Sequence, residues 1–290
     1  MKRTLFLAAS CTVAALTLTA CGSGESSSQN AAASSNPLNA KLPDSIRDSG
    51  TLKIAGSTTV APYLYKDGSK AAGFERELMD ALGSALGVKV QFSDAGFPAL
   101  VPGLQSKKFD VAMGDFTDTK ERQQAVDFVD YTKSYQSLFV QKGNPKKLTG
   151  KDDLCGASVA AATGSISARL AEEQSAACKD AGKKAVKVLQ LEDISAAMMQ
   201  VKTKRADAML IDVVIGRHVA ETGQYGEVVG EPFYPQFHGA AVRKDNTELR
   251  DALEAGFKEI IQNGSYGKIL EKWGMKDLAM PAPSVNAATS

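Results

Sequence analysis

The sequence predicts an α/β protein built as two lobes, and three observations carry that expectation. Short β-forming runs alternate with stretches of helical periodicity along most of the chain. At 290 residues the chain is long enough for two domains of ordinary size. One helix, turn and strand unit also occurs twice, since Ala99 to Asp115 aligns on Ala196 to Asp212 at a constant offset of 97 residues. The offset pairs Leu104 with Val201, Lys107 with Lys204, Lys108 with Arg205, Asp110 with Asp207 and Asp115 with Asp212.

The elements follow in order. Leu52 to Ala55 reads as the first strand. Glu75 to Leu86 reads as a helix, because Leu78, Leu82, Ala85 and Leu86 share one face and Gly87 supplies the left-handed residue that ends it. Val88 to Phe92 is the next strand, then a helix near Pro98 to Ser106, a strand Val111 to Met113 and an extended run Ser137 to Gln141. After the turn Lys142-Gly143-Asn144-Pro145 come a strand Ala157 to Ala161, a helix Ser167 to Ala177, and strands Ala185 to Gln190 and Ala208 to Ile211. In both copies of the repeat a carboxylate closes the strand, Asp115 in one and Asp212 in the other. Open α/β sheets bind ligands outside the carboxyl ends of their strands, so both aspartates are candidate site residues.

The ends of the chain differ in kind from its middle. Lys2 and Arg3 precede an uncharged run from Leu5 to Leu18 and then Leu18-Thr19-Ala20-Cys21, the pattern of an export signal over residues 1–20. The run falls short of the roughly 20 residues that a membrane-crossing helix needs. Leu18-Thr19-Ala20-Cys21 resembles a bacterial lipobox, which implies that Cys21 is diacylated and anchors the protein on the outer face of the cytoplasmic membrane. Residues 21–48, rich in Ser, Asn, Gly and Ala, are expected to be a flexible tether, and 276–290, with Pro281 and Pro283, a loose tail.

Once Cys11 leaves with the signal and Cys21 is lipidated, Cys155 and Cys178 remain. Outside the cytosol an even pair without CxxC spacing or clustered histidines favours a disulfide over a metal site or a catalytic thiol. Removing Lys2 and Arg3 takes the 34 basic residues to 32 against 33 acidic ones, with no basic block to follow a phosphate backbone, so nucleic acid is not an expected partner. His218 and His238 are the two histidines, and no nucleophile stands beside a base. No catalytic residue, metal or cofactor is expected.

A larger set of motifs carries a family resemblance. They are Gly50-Thr51-Leu52-Lys53-Ile54, Gly73-Phe74-Glu75, Leu100-Val101-Pro102-Gly103-Leu104, Phe109-Asp110-Val111, Thr117-Asp118-Thr119-Lys120-Glu121-Arg122, Val126-Asp127-Phe128, Ala206-Asp207-Ala208 and Gly239-Ala240-Ala241-Val242-Arg243-Lys244-Asp245. The run Asn263-Gly264-Ser265-Tyr266-Gly267-Lys268-Ile269-Leu270-Glu271-Lys272-Trp273-Gly274 completes the set. In that order, from about Gly50 to Gly274, the chain resembles the bacterial extracellular solute-binding protein family 3, the polar amino-acid binding lipoproteins of ABC importers.

The resemblance implies a Venus-flytrap, type II binding-protein fold with two hinge crossovers. Lobe one would span 49–137 and 238–275 and lobe two 138–237, closing on an amino acid or related amine. It implies a monomer that delivers its ligand to an ABC transporter permease. Arg122 matches the family's grip on the α-carboxylate, for which a planar guanidinium is suited, and Thr117 a hydroxyl touching the same group. Thr163-Gly164-Ser165-Ile166 matches a loop whose amides open a helix toward the carboxylate, although Ile166 stands where a hydroxyl is usual. Asp212 matches the acceptor of the α-amino group. Asp115 is unusual at its position, and either favours a cationic ligand or pairs with Arg122. Ser57 stands where binders of basic amino acids are often acidic, and Phe97 and Phe116 are candidate apolar walls or core residues. The alternatives are a lyase or cell-wall enzyme on the same fold, or a sensory ligand-binding module.

Overall fold

A computed structural model describes residues 36–223 and 225–289. The signal, the lipobox with Cys21 and most of the expected tether lie outside the described residues. In chain order the elements are α1 (Asp44–Ser49), β1 (Thr51–Gly56), β2 (Thr59–Val60), β3 (Leu64–Asp67), β4 (Lys70–Ala72), α2 (Phe74–Leu86), β5 (Lys89–Asp94), α3 (Leu100–Gln105), β6 (Val111–Ala112) and β7 (Val126–Gln141). There follow β8 (Ser158–Ala162), α4 (Ile166–Asp180), β9 (Lys187–Leu191), α5 (Ile194–Lys202), β10 (Ala208–Asp212), α6 (Val213–Gly223), β11 (Gly226–Arg243), α7 (Thr247–Gln262), α8 (Ser265–Lys272) and β12 (Ala279–Val285).

The main sheet runs β5-β1-β6-β11-β7-β10-β8-β9, with β12 added against β7, while β2, β3 and β4 form a small separate sheet. At one end β1 pairs parallel with β5 and β6, and at the other β8 pairs parallel with β9 and β10. Each end is the parallel core of one lobe. Between them run β7 and β11, 16 and 18 residues long, paired antiparallel along nearly their whole length. They are the two crossovers, and β11 carries register shifts between Val229 and Phe233, Phe233 and Pro235, and His238 and Gly239, which mark the hinge.

The repeat is real in three dimensions. In each copy a short helix, α3 or α5, turns through a left-handed lysine, Lys107 (φ 59°) or Lys204 (φ 63°), into β6 or β10. In the first copy the Asp110 amide donates to the Lys53 carbonyl (2.9 Å), and the Lys53 amide donates to the Asp110 carboxylate (3.0 Å). In the second the Asp207 amide donates to Ser158 and the Ser158 amide to the Asp207 carboxylate, both at 2.8 Å.

Apolar periodicity explains the helices. α2 buries Phe74, Leu78, Met79, Leu82 and Leu86, and Gly87 at φ 68° ends it. Cys155 and Cys178 are joined, with their Cα atoms 5.6 Å apart, tying the turn before β8 to α4.

Two expectations about the chain ends are corrected. Residues 36–48 are not a free tether, because Leu42 and Ile46 are buried in the core and the Asn36 and Asn39 side chains donate to the last carbonyls of α2, at 2.9 Å on Ala85 and 3.0 Å on Leu86. Residues 276–289 of the expected loose tail 276–290 are not loose, because β12 lies on β7 and the Ala287 and Ala288 amides donate to Asp130 and Asp118, each at 2.9 Å. In both places a low mean hydropathy conceals a few well-spaced apolar residues and side-chain hydrogen bonds to distant segments.

Candidate functional site

Four strand ends of the two lobes converge. β1 delivers Ser57, β6 runs through Gly114 to Asp115 and Thr117, β8 leads to Ser165 at the start of α4, and β10 ends on Asp212. With Phe97, Gln136, Ser167 and Ile194 among their neighbours, these residues enclose a cavity of about 40 Å³. That is room for roughly three water-sized spheres, so a whole amino acid enters only as the lobes part. Hydrogen bonds that hold the lobes together here include Ser195 Oγ to the Thr59 carbonyl (3.0 Å), Arg122 Nη2 to the Gly164 carbonyl (2.9 Å) and Tyr63 Oη to Asp212 Oδ1 (3.1 Å).

Of the residues predicted from sequence, Ser57, Phe97, Asp115, Thr117, Ser165, Ile166 and Asp212 reach this cavity. Ser165 caps α4, accepting from the Ala168 amide at 3.1 Å, which leaves the first amides of the helix without intrahelical partners beside the cavity. Arg122 lines an adjoining hollow of about 290 Å³ that shares Ser165 and Ile166 as a wall. Its guanidinium lies over Phe97 and Phe116, 5.2 and 4.8 Å from their centroids, and donates to the Thr117 carbonyl at 2.6 Å. Burial pushes it down to about 10, which still leaves it charged. Phe116 sits in the core behind Arg122. Thr163 turns away, its hydroxyl donating to the Leu191 carbonyl at 2.9 Å.

Sequence reasoning missed the groups that hold the two aspartates. The Asp115 amide donates to both oxygens of Glu75 (3.1 Å each), a buried carboxyl that also accepts from Tyr131 Oη. Burial pushes Glu75 up to about 7. Asp115 itself has φ 52°, a conformation that aspartate tolerates, and burial followed by repulsion from Asp212 and Glu75 raises its carboxyl well above the usual range.

Asp212 sits at the centre of a polar network across the hinge. Tyr63 Oη (3.1 Å) and the Val214 amide (2.9 Å) donate to Oδ1, and Ser134 Oγ and Gln236 Nε2 (2.9 Å) donate to Oδ2. Burial and the Asp212 charge push the Tyr63 phenol up, so it remains a donor. Gln236 in turn accepts from Gln136 (3.1 Å), and Gln136 from Ser167 (2.7 Å). His238 is fully buried, with Nε2 3.3 Å from Asp115 and 3.7 Å from Asp212, and burial lowers its affinity for a proton. The one sequence signal for this network was the polar alternation Ser134, Gln136 and Gln236, His238 within otherwise β-forming runs.

Asp115, Asp212 and His238 place donor atoms within 4.8 Å of one another. That set suits a positive charge, metal or ammonium, but the four donors on Asp212 leave it little coordinating capacity.

A closed cleft between two parallel-sheet lobes, joined by two strands and lined by carboxylates and a helix N-terminus, defines a solute-binding protein. The chain belongs to the bacterial extracellular solute-binding proteins, family 3, whose model matches residues 52–276. It is 28% identical to the arginine-binding extracellular protein ArtP of Bacillus subtilis, over 94% of this chain and 97% of that protein. It is also 28% identical to the ABC transporter glutamine-binding protein GlnH of the same organism, over 96% of this chain and all of the relative. Among solved structures it resembles an ancestral arginine-binding protein bound to arginine, at TM-score 0.70 and 36% identity, covering 77% of this chain and 98% of that one.

Proposed function

We propose that the protein captures an amino acid or related amine for an ABC importer, without transforming it, and closes on it about β7 and β11. The convergence of a helix N-terminus, Thr117 and two carboxylates on one interlobe cavity carries this reading, because a zwitterion presents both charges at once. The amides of α4 and the hydroxyl of Thr117 receive the α-carboxylate. Arg122 completes that end by swinging from the Gly164 carbonyl as the lobes part, since two of its five N–H groups are engaged in the closed form. Ser57 and Phe97 line the ligand's side chain. The closed shape is what a permease would recognise, and diacylated Cys21 would keep the monomer at the outer face of the membrane.

A thermal-shift screen of the exported protein against L-arginine, L-lysine, L-glutamine, L-cystine and agmatine tests this. A ligand at 100 times its Kd adds about 2.7 kcal/mol of apparent stability, which a melting curve resolves easily. No shift with any of the five would contradict the reading.

A further inference from the structure

We infer that residues 279–288 form a strap that positions the loop 117–122 from behind, and thereby sets how tightly the ligand's α-carboxylate is held. The inference rests on the amino-acid reading above and adds a further part of the chain to it. The strap lies beyond residues 52–276, over which the family model matches, so the match does not account for it.

The sequence past Leu278 is short and rich in small residues, yet it is fastened at several points. β11 pairs along one edge of β7, and β10 reaches the other edge only over 136–140. β12 takes up that edge in lobe one, setting Ala279 against Thr132, Ser284 against Asp130 and Val285 against Val129. Asn286 then ends the pairing in a left-handed conformation (φ 53°), which asparagine tolerates. Its amide donates to the Phe128 carbonyl (3.1 Å), its side-chain oxygen accepts from the Phe128 amide (2.8 Å) and its Nδ2 donates to Asp127 (3.0 Å). The turn aims the next two amides at buried carboxyls, Ala287 at Asp130 and Ala288 at Asp118.

Asp118 is where the strap meets the site. It follows Thr117 directly, its amide donates to the Phe237 carbonyl of β11 (2.9 Å), and its carboxylate accepts from Gln123 Nε2 (2.8 and 2.9 Å) as well as from Ala288. Gln123 follows Arg122 directly, and its Nε2 also lies 3.4 Å from the Ala288 carbonyl. Both groups assigned to the ligand's carboxylate therefore neighbour a residue clamped to the strap. Burial, and then the charge of Asp118, pushes the Asp130 carboxyl up to about 8. Two carboxyls buried together hold their places only while donors reach them, and the strap brings an amide to each.

Isothermal titration with L-arginine and L-glutamine, and with agmatine and 4-aminobutanamide, which lack the α-carboxylate, tests this on the full chain. The variants are Asn286→Ala, which removes two side-chain bonds of the strap, and Ala288→Pro, which removes the amide on Asp118. Ser284→Ala is the control, because the Ser284 hydroxyl has no partner among the described residues. For an amino acid that binds wild type, each strap variant should weaken binding about tenfold and change its decarboxylated analogue less than threefold. Without ligand, hydrogen–deuterium exchange should rise across 117–125 and stay unchanged across 158–166 of lobe two, and the control should match wild type throughout. Equal weakening of the amino acid and its analogue, or an unchanged loop in both strap variants, would overturn the inference and leave the amino-acid reading standing. Where an analogue does not bind wild type, the exchange of the loop decides. If neither amino acid binds wild type, the reading fails and the inference with it.

Discussion

The two copies of the repeated unit, Ala99 to Asp115 and Ala196 to Asp212, are alike through the turn and into the start of the strand. Both turn through a left-handed lysine, and both lock an aspartate onto the neighbouring strand by the same pair of hydrogen bonds. They part at the strand end. β10 keeps its ladder through Asp212, whereas β6 stops at Ala112 and Gly114 (φ 114°) and Asp115 (φ 52°) leave the sheet. One carboxylate thereby enters a network that satisfies it, and the other faces the cavity without donors. Equivalent positions in a duplicated plan need not share the same surroundings.

The largest effect on stability is expected at the satisfied member. Asp212→Asn turns an NH₂ toward two of the four donors, and at roughly 2 kcal/mol for each one left unpaired the loss is about 4 kcal/mol, read from urea unfolding of the ligand-free protein. A loss under 1 kcal/mol would mean that the network is not what holds the hinge.

The second repeat belongs to the lobe that carries the disulfide, across a sequence separation of 23 residues. Chain-entropy reasoning gives it about 3 kcal/mol. Cys155→Ser with Cys178→Ser should lower stability by that amount, and intact mass after alkylation of exported wild type should show no free thiol at either position.

Glu75 supports only the first copy, and its signature is a pH dependence. Burial raises it from 4.5 to about 7, so the folded state keeps a proton that the unfolded chain has released within that window. Its contribution is therefore complete below about 4.5 and lost as pH rises to about 7, about 3 kcal/mol in all. Glu75→Gln should flatten this part of the stability profile; an unchanged slope would place the proton elsewhere.

The smallest effects should be those the copies share. Asp110→Ala and Asp207→Ala each remove a hydrogen bond to a strand amide and should cost about 1 kcal/mol. Asp207 should cost the more, because it also takes the Ser158 hydroxyl (2.9 Å) and Lys146 (3.6 Å). A large difference in the other direction would break the equivalence of the two units.

Much of this architecture was legible in the residues. The periodicity of Leu78, Leu82 and Leu86 found α2, the offset of 97 found the duplicated unit, and strand ends placed Asp115 and Asp212 at the cleft. Of the crossing strands only Ser137 to Gln141 was legible in the local pattern, and the two crossovers followed only from the family resemblance. β7 is buried along nearly its whole length, so its side chains show no alternation, and its Asp130, Thr132, Ser134 and Gln136 resemble a loop until their distant partners are in place. The roles of Tyr63, Glu75, Gln236 and His238 depend on contacts across as many as 149 residues of sequence, which no local pattern records. Motif matching could place Asp212 at the site but not reveal that its acceptors were already filled.

The most direct test is an experimental structure of the protein grown with L-arginine, the ligand named for ArtP. The account predicts the α-carboxylate against the first amides of α4 and the Thr117 hydroxyl, and the α-ammonium within about 3 Å of an Asp115 or Asp212 carboxylate oxygen. A ligand seated outside this cavity, or with its ammonium away from both aspartates, would contradict it.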